Sequence, residues 1–164
     1  MKKILFSLVI ALFLCFSVVP AFAADPVIGA CTQSLTTFKT ANPNLKVWTL
    51  SCTANDTDGS FPAIPVSAAI RGEIVGWYVS EVRTYPSAVT APQDNYDITI
   101  TDDGAFDIMG GTLADRATAA DERALPEWDT GLYADAPLYG SVNVNISGNS
   151  VNSAITVIKV FLRK

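Results

Sequence analysis

Histidine is absent from all 164 residues, which removes the commonest neutral-pH general base and metal ligand. No Ser/His/Asp or Cys/His nucleophile system can be assembled from such a chain. It also holds no P-loop, no glycine-rich dinucleotide fingerprint and no paired CxxC motif, so nucleotide, nicotinamide and zinc-ribbon chemistry lack their usual signatures. Cysteine is scarce, with three residues, and the 11 basic residues are outnumbered by 16 acids. Hydrolysis by two carboxylates needs only an acid and a base or nucleophile, but no acidic pair stands out in the pattern. The chain reads as a non-enzyme without a cofactor.

One long apolar run is present, at the amino terminus. Lys2 and Lys3 precede apolar residues from Ile4 to Val19, and Ala21-Phe22-Ala23 follows with small residues where a signal peptidase reads. This is the pattern of a bacterial secretory signal over residues 1–23, cleaved before Ala24. The run is short for a bilayer span, so the mature chain is expected to have no membrane span and to be periplasmic or extracellular. Cleavage removes two basic residues and no acid, leaving nine against sixteen, a net charge of −7. An acidic surface repels phosphate backbones and argues against nucleic acid as a partner.

The 141 residues that remain suffice for one domain with a core. Cys15 leaves with the signal; Cys31 and Cys52 stay as a pair. In an oxidising compartment a disulfide is the default, and closing a loop of about twenty residues contributes ~3 kcal/mol in the chain-entropy model. Residues 24–44 are therefore read as an arm stapled to a β domain over 45–164. The arm carries at most a marginal helix from Ser34 to Thr40.

Within the domain, period-two alternation dominates. Trp48, Leu50 and Cys52 share one face of a strand starting at Leu45. Glu73 to Thr84 reads as a central strand, with Val75, Trp77 and Val79 on one face and Ile74, Tyr78 and Val82 on the other. Pro62 and Pro65 restrict the piece before it to extended or edge geometry. Tyr96, Ile98 and Ile100 alternate with polar residues, Asp103-Gly104 supplies a turn, and Phe106 and Ile108 resume on the far side, which predicts a hairpin. Gly110-Gly111 breaks it, and Thr112 with Asp115 three residues on resembles a helix start. Val142 to Ser147, a Gly148-Asn149 turn and the apolar run Ile155 to Leu162 predict a second hairpin. The expected fold is all-β: an antiparallel β-sandwich, jelly-roll-like or Ig-like, with one short helix near 112–124.

Two groups of residues invite a binding role. Trp77, Trp128, Tyr133 and Tyr139 are the aromatics on which a glycan could stack, since sugar faces pack on flat rings. The plainer expectation for Trp128, Leu132 and Tyr133 is that they fold back as a lid over the core. Asp102, Asp103 and Asp107 form an acidic group that could offer oxygen ligands to calcium. The spacing is not that of an EF-hand loop, and aspartates shaping a hairpin turn are the favoured explanation.

The segment NYDITITDDGAFDIMGGTLADRATAADE and the ending PLYGSVNVNISGNSVNSAITVIKVFL resemble small β-rich proteins encoded among tailed-phage and prophage virion genes. The matching residues are Tyr96, Asp97, Thr99, Asp102, Gly110, Gly111, Leu113, Arg116, Pro137 and Leu138, within a resemblance running from about Ile70 to Leu162. The resemblance implies a virion-type structural role, with assembly contacts to further copies or to a protein partner and no catalytic site.

Overall fold

A computed structural model of the chain describes residues 29–38 and 42–164. The signal at 1–23 and the first residues of the arm lie outside that range. The fold is all-β with antiparallel sheets and one short helix. The larger sheet contains β1 (Ala30–Thr37), β2 (Leu45–Thr53), β4 (Tyr78–Pro86), β6 (Glu122–Ala124), β9 (Ala136–Pro137) and β11 (Ile155–Arg163). Its order is β1-β2-β11-β4-β6, and β9 also pairs with β4. The smaller sheet has the order β3 (Ile64–Pro65), β10 (Asn143–Ser147), β5 (Asp97–Thr101). A separate hairpin joins β7 (Glu127–Asp129) to β8 (Leu132–Tyr133).

Alternation decides which face is dry. Trp48, Leu50 and Cys52 on β2 are buried, as are Thr156, Ile158, Val160 and Leu162 on β11. Ile98 and Ile100 on β5, with Val144 and Ile146 on β10, enter the same hydrophobic cluster from the smaller sheet. The apolar run of β11 therefore buries one face completely. On its other face Phe161 lies beneath Arg83, 4.8 Å from ring centre to guanidinium carbon. Tyr85 on β4 is covered in the same way by Lys159 at 4.7 Å. Long cationic side chains shield apolar surface there while keeping their charge in water.

Several expectations are corrected. The arm is a strand rather than a helix: β1 pairs with β2 along its whole length, with Cys31 directly opposite Cys52, and the two are disulfide-bonded. The helix, α1, spans Ala68–Ile74, replacing the extended piece expected there and the first two residues of the strand expected from Glu73. The Ser67 side chain accepts a hydrogen bond from the Ile70 N–H, and Ile70 and Ile74 face the core. Strand β4 starts only at Tyr78, after the turn at Gly76. Its alternation is then interrupted at Ser80, because Val79 pairs with Leu162 and Glu81 with Phe161. The extra residue of this bulge brings Val79 and Val82, expected on opposite faces, to the same buried side.

No helix forms at 112–124. Asp115 adopts a positive φ of 53°, and its N–H is bonded to the Asp97 carboxylate. The Arg116 N–H goes to the Tyr96 carbonyl. The Thr112 hydroxyl donates to the carbonyls of Met109 and Leu125 instead of capping a first turn. The amides a helix would need are engaged by β5 and its flank. The predicted C-terminal hairpin is also absent, since β10 and β11 belong to different sheets. The Asn149 side chain ties the connection between them to Gly59 and Gln93.

Candidate functional site: an acidic aromatic cleft

The turn after β5 is built from carboxylates bonded to backbone. Asp102 Oδ1 accepts from the N–H groups of Gly104 and Phe106, at 2.9 and 3.2 Å. Asp107 Oδ1 accepts from Ile100 and Met109, and its Oδ2 accepts from Gly111 at 2.8 Å. This geometry fixes a compact turn whose return arm is a single bridge, Thr101 to Asp107, followed by an Ile108 N–H bond to Ile100. Phe106, expected to resume the strand, is turned outward and is 75% exposed.

Two further pieces of chain meet this turn. Gly110 has φ +65°, and a Cβ there would lie 2.0 Å from the Glu127 carbonyl oxygen. Only glycine permits that approach, which seats β7 against the turn through a Glu127 N–H bond to Met109. The third wall follows β9. Leu138 is buried and exchanges backbone bonds with Gly76 and Trp77, so its neighbour Tyr139 points out. Asp103 Oδ1 accepts from the Ser141 N–H at 3.0 Å and fastens this loop to the turn.

Between the three walls lies a cleft of about 480 Å3, lined by Phe106, Trp128 and Tyr139 together with Asp102, Asp107 and Glu127. Its charged lining is entirely acidic. Trp128 is 65% exposed and Tyr139 63%. No family model matches this chain, and no curated protein or solved structure matches it. The cleft's chemistry therefore rests on its own residues.

Of the four aromatics singled out in sequence, Trp128 and Tyr139 come together here. Tyr133 does not line this cleft; it sits on β8 beside shallower depressions bordered by Leu125. Trp77 is buried, with the Lys46 ammonium 4.5 Å from its ring centre and Lys164 at 6.0 Å. It is a packing residue. The lid expectation fails, because Trp128, Leu132 and Tyr133 are all exposed on the β7–β8 hairpin. Phe106 is the cleft residue that alternation misassigned; the turn-forming Asp102 ahead of it was the available signal. Asp102, Asp103 and Asp107 each hold backbone N–H groups, and no cluster of three or more potential metal ligands occurs among the described residues.

A second feature is an open sheet edge. The Cys31 and Cys52 Cα atoms are 4.1 Å apart, the spacing of a non-hydrogen-bonded antiparallel pair. Cys31, Gln33, Leu35 and Thr37 therefore direct their backbone N–H and C=O groups away from β2. Among the described residues no strand pairs with that side of β1. The other edges are short or occupied. β3 has two residues, one of them Pro65, and β6 has three. The outer side of β5 is bonded by Ile108, Leu113 and Arg116.

Proposed function

We propose that the mature chain is an exported, non-enzymatic structural module that assembles by antiparallel pairing of β1 with β1 of a second copy. The observation that carries this reading is the edge itself: eight residues, ACTQSLTT, with no charge and no proline. Such an edge is a template for strand addition, and natural sheets usually blunt one with lysine or proline. A two-fold axis presents the same strand to itself in antiparallel sense, extending the larger sheet across both copies. The chain is acidic overall, so an uncharged strand is where two copies can meet without facing like charges. The phage-virion resemblance supports the same role. The signal-like amino terminus and the Cys31–Cys52 bridge support export to an oxidising compartment.

Sedimentation of residues 24–164 over a concentration series tests the assembly. The wild-type chain is expected to form dimers or larger particles, and the Thr32→Lys/Thr36→Lys variant to stay monomeric with unchanged circular dichroism. Both threonines are exposed, so the variant should fold. A wild-type chain that remains monomeric at the highest concentration sinks the reading.

A further inference from the structure

We propose that the acidic aromatic cleft binds the quaternary ammonium group of a small organic cation. This goes beyond edge assembly and rests on different residues. Three exposed rings, Phe106, Trp128 and Tyr139, line a space of about 480 Å3, enough for a small ligand. Asp102, Asp107 and Glu127 line the same space, and no lysine or arginine does. Anions are disfavoured by that charge.

A neutral sugar would also match the ring faces, but it needs directional hydrogen-bond partners. The carboxylates here are already oriented by their own loops: Asp102 by Gly104 and Phe106, Asp107 by Ile100, Met109 and Gly111. Glu127 is held in the same way by the Gly131 N–H. Much of their hydrogen-bonding capacity is directed inward. A quaternary ammonium has no N–H to donate. It is attracted by charge and by ring faces, both of which the cleft offers.

The fluorescence of Trp128 reads this directly. Trp48 and Trp77 are buried and Trp128 is exposed, so a ligand entering the cleft perturbs one indole of three. Choline is titrated at low salt beside 3,3-dimethylbutan-1-ol, its neutral carbon isostere, and methyl glucoside. Choline is expected to give a saturable change and to bind about two- to fivefold more tightly than the isostere, the factor a cation–aromatic contact at exposed rings carries. Glu127→Gln, whose side-chain oxygen can still accept from Gly131, should weaken choline several-fold and leave the isostere unchanged. Phosphatidylcholine vesicles run in parallel decide whether the ammonium comes from a lipid headgroup or a free solute. Equal affinity for choline and the isostere, preference for methyl glucoside, or no saturable response to choline would each overturn the proposal. The Thr32→Lys/Thr36→Lys variant should bind choline as the wild type does, which separates this test from that of assembly.

Discussion

Strands β2, β11 and β4 of the larger sheet and the stretch from Asp102 to Arg116 are both ordered, but by different means. In the sheet, nine-residue strands lie side by side and alternate residues enter the core, with the one bulge of β4 as the exception. Backbone bonds to backbone, and burial fixes the register, because a slip of one residue would expose the whole apolar set. In the turn region there is almost no ladder. Order comes from Asp97, Asp102, Asp103 and Asp107, whose carboxylates collect N–H groups, from the close approach at Gly110, and from two anchors, Met109 and Leu113, buried in the core. Sheet order is shared among many residues, whereas turn order depends on a few.

That contrast is sharpest under substitution. Trp48 is the largest fully buried side chain, at the centre of β2 opposite Val160. Trp48→Ala should destabilise the whole domain by ~3–5 kcal/mol, the usual cost of emptying a large core site. Urea unfolding would show a lower midpoint for every probe together. If only the signal from Trp128 moved, the sheet and the turn region would not be one cooperative unit.

The same contrast explains what the sequence revealed. Alternation identified β2, β5, β10 and β11 because burial on one face leaves a period of two in the residues. It could not say that β10 and β11 join different sheets, since a pattern specifies a face and not a neighbour. The bulge at Ser80 left no mark because Val79, Ser80 and Val82 read equally well as an unbroken strand. Thr112 and Asp115 mimicked a helix start, while the true helix at Ala68–Ile74 was hidden by the prolines before it, Pro62 and Pro65, and by Gly72 within it. Trp128 and Tyr139 were recognisable as aromatics in loops. Their convergence with Phe106 was not, because it depends on backbone bonds from Glu127 to Met109 and from Leu138 to Trp77, and on the Asp103 carboxylate at Ser141, all between segments distant in sequence.

The edge strand lies between the two regimes. β1 has a full ladder to β2 on one side, and a disulfide ties Cys31 to Cys52 within it. Replacing both cysteines, Cys31→Ser/Cys52→Ser, should cost ~3 kcal/mol in the chain-entropy model. Reductant should lower the wild-type unfolding midpoint by a comparable amount and leave the variant unchanged. A double variant as stable as the wild type would show that the ladder alone holds β1.

The smallest effect is expected at Asp107, and it is the most local. Its two carboxylate oxygens collect the N–H groups of Ile100, Met109 and Gly111, joining the end of β5 to the glycine pair that admits β7. Asp107→Ala leaves those donors without their acceptor and should cost ~1–3 kcal/mol, the range for unsatisfied polar groups. Asp107→Asn retains one oxygen and should lie between the alanine variant and the wild type. Hydrogen exchange distinguishes local from global loss. Amides of 102–113 should exchange faster in the alanine variant, while those of β2 and β11 slow or quicken only with overall stability. Uniform acceleration across the chain would mean that the turn, anchored in the core by Met109 and Leu113, opens only together with the sheet, and that the division between ladder-held and carboxylate-held regions is wrong.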